Sequence, residues 1–75
     1  MFNKTGFASR VKELRNKKGV SQTVIAQLLG VTKTQISDIE NAKTSTSLEK
    51  AVALADFFDV SLDYLVGRSD DPARH

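Results

Sequence analysis

The fold is decided by residues 22–41, which read QTVIAQLLGVTKTQISDIEN. Ala26 is small at the point where a second helix would have to approach the first, and Gly30 occupies a turn position that demands a positive φ. Ile36 and Ile39 lie about one helical turn apart, so both side chains face back toward Ala26. This spacing predicts two short helices that cross tightly around a glycine turn, which is a helix-turn-helix.

The opposite face of the second of these helices is polar. It carries Lys33, Thr34, Ser37 and Asp38, whose side chains are short, flexible or charged. An exposed helix face of this kind suits the major groove of DNA, which admits an α-helix and presents hydrogen-bonding base edges. The same segment therefore predicts both a core and a contact surface.

Length and composition limit the remaining possibilities. The chain has 75 residues, of which 40% are hydrophobic, and this favours one folded domain with a small core. It contains no cysteine, which excludes disulfides and cysteine-ligated zinc. It also lacks a long apolar run and a signal-peptide pattern, so we expect a cytoplasmic protein without a membrane segment.

Charge is distributed unevenly along the chain, although the net charge is only +2. Residues 1–20 sum to +5, residues 21–45 to zero and residues 46–75 to −3. Such asymmetry fits a protein that turns one face toward a polyanion. The alternative is that Lys12, Lys17 and Lys18 simply form the solvated side of an amphipathic helix.

Apolar periodicity and capping residues predict five helices and no strand. The first helix covers about 6–18, capped by Thr5 or Asn3. The other helices are expected to begin after Ser21, Thr32, Ser47 and Ser61 and to end near Leu29, Asn41, Asp59 and Gly67. The predicted architecture is a compact all-α five-helix bundle over residues 1–67, followed by a polar tail over 68–75.

Several segments of this chain match a known family in order and spacing. They are RVKELR at 10–15, GVSQ at 19–22, IA at 25–26, LGVT at 29–32, IEN at 39–41 and VSLDYL at 60–65. Over residues 7–67 the chain resembles the phage Cro and repressor family of helix-turn-helix proteins, also called Xre-like. The resemblance implies a lambda-repressor-like fold and a transcriptional regulator, typically a repressor. Such a regulator binds a palindromic operator in double-stranded DNA as a homodimer.

In that family the third helix enters the major groove, so the resemblance implies base contacts from its residues. The implied base-contacting residues are Lys33, Thr34, Gln35, Ser37 and Asp38. Lys33 would donate to guanine, whereas Asp38 would accept from cytosine N4 or adenine N6. The alternative for Asp38 is an internal ion pair with Lys33 or Lys43, without any base contact.

The resemblance also implies phosphate contacts on both flanks of the third helix. The implied residues are Gln22, Thr32, Asn41, Lys43 and Thr44. Gln22 would hold a phosphate together with the helix amide ends, although it can also be an ordinary first-turn residue. Ala42 stands where the family often has glycine, so we expect Asn41 to take the left-handed conformation that ends the third helix.

Two further sets of residues are assigned by resemblance. Arg10 and Glu40 are expected to form a structural ion pair between the first helix and the end of the third. The alternative for Arg10 is a phosphate contact, and Arg15 is left open between the same two roles. The other set is Phe57, Tyr64 and Val66, which are expected either to form a dimer interface or to close a small core.

Catalysis is not expected. The single histidine is His75 at the end of the chain, and no glycine-rich phosphate loop, metal-ligand cluster or nucleophilic cysteine occurs. We therefore expect no cofactor and no small-molecule ligand. The alternative function is a protein-binding adaptor or antitoxin-type module on the same fold, suggested by Val24 and Leu28 on one side of the second helix.

Overall fold

Five α-helices make up residues 3–73, the part of the chain that the computed structural model describes. They are α1 (Lys4–Lys18), α2 (Gln22–Leu29), α3 (Lys33–Glu40), α4 (Leu48–Phe58) and α5 (Leu62–Leu65). No strand occurs in this range, and the all-α class predicted from the sequence is confirmed. The predicted domain and tail also include Met1, Phe2, Arg74 and His75, which lie outside the described residues. None of the described helices has the length and hydropathy that a bilayer crossing requires.

The helix starts follow the predicted capping residues. Ser21, Thr32, Ser47 and Ser61 each accept a hydrogen bond from the backbone N–H three residues ahead. In α1 the cap is Asn3, whose Oδ1 accepts from the Gly6 N–H at 3.0 Å. Because Asn3 rather than Thr5 is the cap, α1 begins two residues earlier than predicted.

The turn between α2 and α3 has the predicted left-handed glycine. Gly30 has φ 68°, and the N–H of Val31 donates to the carbonyl of Ala26 at 3.0 Å. This pattern satisfies the last carbonyls of α2 and sends the chain directly into α3. The crossing of the two helices thus depends on a residue that tolerates positive φ.

The end of α3 differs from the prediction. Asn41 has φ −97°, whereas Ala42 takes the left-handed conformation at φ 59°, so the assignment to Asn41 is wrong. The Ala42 N–H donates to the backbone carbonyl of Ile39 at 3.1 Å, and the Lys43 N–H donates to the backbone carbonyl of Asp38 at 2.9 Å. These two bonds place the left-handed residue one position later than predicted, at Ala42. A residue with a side chain pays about 1 kcal/mol to adopt this conformation.

One buried core joins all five helices. Its members are Phe7, Val11, Ile25, Ala26, Ile36, Ile39, Leu54, Ala55, Val60 and Leu65. Ile36 and Ile39 are both buried, as their spacing predicted, and Ala26 is buried with them. Since the inner side of α3 is committed to this core, the outer side of α3 remains at the surface.

The described part of the predicted tail lies against the domain. The N–H groups of Arg68 and Ser69 donate to the carbonyl of Asp63 at 2.7 and 3.2 Å. Further on, the carbonyl of Pro72 accepts from the Ser61 N–H at 3.0 Å. Residues 68–73 are therefore bonded to α5 and to the residue that caps it.

Candidate nucleic-acid interface

The start of α3 is held by reciprocal bonds between Thr32 and Gln35. Thr32 Oγ1 accepts from the Gln35 N–H at 3.1 Å, and Gln35 Oε1 accepts from the Thr32 N–H at 2.9 Å. Lys33 and Thr34, which lie between them, are exposed. The cap therefore presents two exposed side chains at the start of α3, which is the part of the helix that would enter a DNA groove first.

The capping bonds restrict what two of the predicted contact residues can do. The carbonyl oxygen of Gln35 accepts one hydrogen bond in the cap, and its amide hydrogens remain for another acceptor. Thr32 Oγ1 already accepts a hydrogen bond, but its own hydrogen is available to a phosphate oxygen. Both residues keep donor capacity on the outer side of the molecule.

The second half of α3 presents Ser37 and Asp38, which are half-buried. Ser37 Oγ accepts from Asn41 Nδ2 at 3.3 Å, so these two predicted contact residues are already bonded to each other. Within residues 3–73 Asp38 forms no ion pair, and neither Lys33 nor Lys43 lies within 4.0 Å of its carboxylate. The internal pair considered for Asp38 does not occur in this structure.

Glu40, at the last position of α3, has a side chain that is only 2% exposed. Arg15 Nε donates to its Oε2 at 2.6 Å, and Arg15 Nη2 donates to its Oε1 at 3.0 Å. This two-pronged contact is the geometry that guanidinium and carboxylate groups favour. The hydrogen bond to Glu40 raises the pKa of Arg15 above its ordinary value, so the guanidinium of Arg15 stays charged.

The predicted ion pair between Arg10 and Glu40 is therefore wrong, because Arg15 takes that place. Arg15 lies near the end of α1, where its Nη1 also donates to the carbonyl of Val20 at 3.1 Å. Both arginines lie on α1. The signal in the sequence that would have pointed to Arg15 as the partner of Glu40 is that it lies nearer than Arg10 to the turn into α2. Its choice of Glu40 depends on how α1 and α3 pack.

Arg10 instead faces the C-terminal segment. It donates to the carbonyls of Tyr64 and Ser69, the latter at 2.6 Å, and to Asp70 Oδ1 at 2.8 Å. Its guanidinium carbon also lies 4.1 Å from the centre of the Tyr64 ring. With these contacts made inside the molecule, the geometry does not favour the alternative of a phosphate contact by Arg10.

Gln22 joins the ion pair to the start of α2. Its Nε2 donates to Glu40 Oε1 at 3.2 Å, which leaves the second amide hydrogen free. Gln22 is thus held at a helix N-terminus, where backbone N–H groups and the helix dipole favour an anion. The contact with Glu40 was not anticipated from the sequence.

The loop after α3 carries the remaining predicted phosphate contacts. Lys43 and Thr44 are exposed, and their backbone N–H groups donate to the Asp38 carbonyl at 2.9 and 3.4 Å. These bonds tie the loop to α3. The structure therefore brings polar residues to both flanks of α3, with Gln22 and Thr32 on one side and the loop on the other.

The residues predicted for a dimer interface are only partly exposed. The rings of Phe57 and Phe58 meet edge to face with their centres 5.3 Å apart, and the Lys18 ammonium nitrogen lies 5.1 Å from the centre of the Phe57 ring. Tyr64 is stacked under Arg10, and Val66 packs against the core. Among the described residues the most exposed large apolar side chain is Leu48, at 71%, on α4. That leucine was not among the residues assigned to an interface from the sequence.

Comparison with known proteins supports the assignment made from the sequence. The helix-turn-helix family model matches residues 11–65. The HTH-type transcriptional regulator AnsR of Bacillus subtilis is 42% identical over 59 residues, which cover 79% of this chain and 51% of AnsR. AnsR and a second curated relative from Bacillus subtilis are both longer than this chain. The chain spans 51% of AnsR and 59% of the other relative.

Solved structures with the same fold include a repressor bound to DNA. The crystal structure of the P22 c2 repressor with a synthetic operator has a TM-score of 0.77 at 27% identity, covering 84% of this chain and 96% of that chain. The hydroxypropylphosphonic acid epoxidase of S. wedmorenis also matches, with a TM-score of 0.77 at 25% identity. That match covers 88% of this chain but 35% of the enzyme, so most of the enzyme has no counterpart in these 75 residues. The chain belongs to the Cro/repressor, Xre-like family of helix-turn-helix transcriptional regulators.

Proposed function

We propose that this protein binds double-stranded DNA at a specific sequence and regulates transcription, most directly as a repressor. The observation that carries the proposal is the exposed polar outer side of α3, whose inner side is fixed in the core by Ile36 and Ile39. The fold match to a repressor bound to its operator supports this use of the motif. The activity requires access to cellular DNA, in keeping with the predicted cytoplasmic location.

In the proposed complex α3 lies in the major groove with its N-terminal residues nearest the bases. Lys33 donates to guanine O6 and N7, and Thr34 contacts a base through its hydroxyl or its methyl group. Gln35 donates to a base from its amide hydrogens, while its carbonyl oxygen keeps the hydrogen bond of the cap. Asp38 accepts from cytosine N4 or adenine N6, and Ser37 completes the base-contacting set.

Phosphate contacts position the motif from both flanks. Gln22 and Thr32 donate from the starts of α2 and α3, and each keeps a free hydrogen for this purpose. Asn41, Lys43 and Thr44 contribute from the loop on the other flank. The buried Glu40 accepts a hydrogen bond from Gln22, so the ion pair of Glu40 with Arg15 helps to position Gln22 at the proposed DNA surface.

We further propose that two copies bind a palindromic site through a two-fold interface that includes Phe57, Tyr64 and Val66. These side chains reach the surface at the end of α4 and around α5 while closing the core. A two-fold dimer would set its two α3 helices about one turn of DNA apart, roughly 34 Å. The spacing of the two half-sites therefore reports directly on the dimer.

The direct test is selection of bound sequences from a random duplex library at two salt concentrations. Enrichment of a palindrome with half-sites about 10 base pairs apart would support specific dimeric binding. Lys33→Ala should then weaken binding to the selected site and relax the preference at one base pair. Retention that is weak, salt-sensitive and independent of sequence would contradict the proposal.

A protein-binding role is the second candidate, favoured by one observation. Val24 and Leu28 on α2 are 40% and 43% exposed and lie four residues apart on one side of the helix. An adaptor or antitoxin-type module would use this apolar stripe for its partner. In that case Lys33→Ala would have no effect on partner binding, whereas Leu28→Ser would abolish it.

A further inference from the structure

A polar groove lies beside α3, between its second half, the loop over 41–47 and the start of α4. Its volume is 380 Å³. Its lining combines the apolar residues Leu29, Val31 and Ile39 with polar and charged residues that include Asp38 and Lys50. The groove thus borders the residues that the proposed function places against DNA.

Lys50 is the cation of this groove, although it belongs to α4 and not to the helix-turn-helix. It is half-buried and lines the groove together with apolar residues, a setting that suits the methylene stem of a lysine. Its ammonium forms no ion pair and no hydrogen bond with any residue in the range 3–73. A lysine ammonium has three N–H donors, and no residue in the described range accepts from those of Lys50.

Asp38 is the carboxylate near the end of α3 whose charge opposes the approach of DNA. Residues 21–45 carry no net charge, because Lys33 and Lys43 are matched by two carboxylates. Arg15 compensates Glu40, but the carboxylate of Asp38 has no ion-pair partner among the described residues. An unpaired carboxylate at this position repels a phosphate unless a positive charge lies close to it.

We infer that Lys50 binds a DNA phosphate in this groove, next to the base read by Asp38. The assignment rests on the proposed function and adds a contact from α4 to those of α2, α3 and the loop. Lys50 and Asp38 line the same groove, so Lys50 brings a positive charge to the region around Asp38. Because Lys50 is half-buried, it loses less side-chain entropy on binding than the exposed Lys43 does.

The test compares Lys50→Met with Lys12→Met on the DNA sequence selected above. Methionine preserves an apolar stem in the groove and removes the charge. Lys12 is exposed on α1 and its loss changes the net charge equally, so it measures the long-range electrostatic contribution. Affinity is measured by fluorescence anisotropy over a salt series from low to above-physiological concentration, and a thermal melt of each variant verifies folding.

For Lys50→Met we expect binding about tenfold weaker, to a similar extent on cognate and non-cognate DNA. The slope of log K against log salt should fall in magnitude by about 0.9 for each chain in the complex. Lys12→Met should change the affinity by less than about threefold and leave the slope nearly unchanged. Equal effects of the two variants would overturn the assignment. If Lys50→Met unfolds, Lys50→Gln takes its place in the same comparison.

An Asp38→Asn background separates a phosphate contact from simple compensation of Asp38. If Lys50 binds phosphate, its replacement weakens binding by the same factor in the Asp38→Asn background as in the wild-type chain. If Lys50 acts only by offsetting Asp38, the effect disappears in that background and the assignment is overturned. Wild-type protein that binds no duplex at low salt would refute the proposed function itself, and the assignment of Lys50 with it.

Discussion

Arg10 and Arg15 lie five residues apart on α1 and form ion pairs in two very different settings. Arg15 meets a carboxylate that is 2% exposed, beneath the proposed DNA surface, whereas Arg10 meets the fully exposed Asp70. Removing one partner of a buried pair leaves an uncompensated charge, while water readily replaces an exposed partner. The burial of the partner, and not the residue type, therefore decides what each arginine contributes to stability.

The largest effect is expected for Arg15→Met. The free energy of unfolding should fall by about 3 to 5 kcal/mol, because Glu40 would remain buried without its cation. Urea denaturation followed by circular dichroism measures this change. Arg10→Met is the matched control on the same helix and should lose less. Equal losses would show that the two settings do not differ in the way described.

The next effect concerns binding and not stability. Lys33→Ala should cost about 1 to 3 kcal/mol of binding free energy on the selected DNA site, since it removes a base contact at the exposed start of α3. Its unfolding midpoint should match the wild type within error. Anisotropy titration and denaturation of the same sample provide the two numbers. A loss of stability that parallels the loss of binding would contradict a pure contact role.

Ala42→Gly tests the backbone at the end of α3. Glycine removes the cost of a left-handed alanine, about 1 kcal/mol, and part of this gain is lost to unfolded-state entropy. We expect a net stabilisation of about 0.5 kcal/mol, measured by denaturation. The control is Asn41→Gly, which should destabilise because Asn41 has an ordinary negative φ. If Asn41→Gly stabilised the protein instead, the left-handed residue at the end of α3 would be Asn41 and not Ala42.

The smallest effect is expected for Asp70→Ala. Its carboxylate is fully exposed, and Arg10 keeps its contacts with the Tyr64 and Ser69 carbonyls and with the Tyr64 ring. The unfolding midpoint should not change measurably, at low or at high salt. A clear loss that disappears on adding salt would mean that the exposed pair is stronger than its setting implies.

The helix boundaries were largely predictable because they depend on local chemistry. A serine or threonine followed by an apolar run marks a helix start, and the caps at Ser21, Thr32, Ser47 and Ser61 all formed as predicted. Gly30 was likewise predictable from its place between two amphipathic segments. The exposed outer side of α3 follows from the burial of its two isoleucines, which their spacing alone indicates.

The details of the candidate site were less accessible, because they depend on which side chains meet across the fold. The partner of Glu40 lies 25 residues away, and the sequence led to Arg10 as that partner while the role of Arg15 was left open. The same holds for Lys50, which borders Asp38 only because α4 packs beside the loop over 41–47. Locally, the choice between Asn41 and Ala42 was decided by hydrogen bonds from the loop, which override the intrinsic preference of asparagine for positive φ.

The amino-acid sequence alone therefore determined the five helices, the inner side of α3 and the family, because hydrophobic period and capping act over a few residues. The tertiary structure decided which charges are compensated. It paired Arg15 with Glu40, bonded Gln22 to that pair, turned Arg10 toward the C-terminal segment and left Asp38 and Lys50 in one groove. The physical reason is that the strength of an ion pair depends on burial and on distance in space, and both arise only when the helices pack.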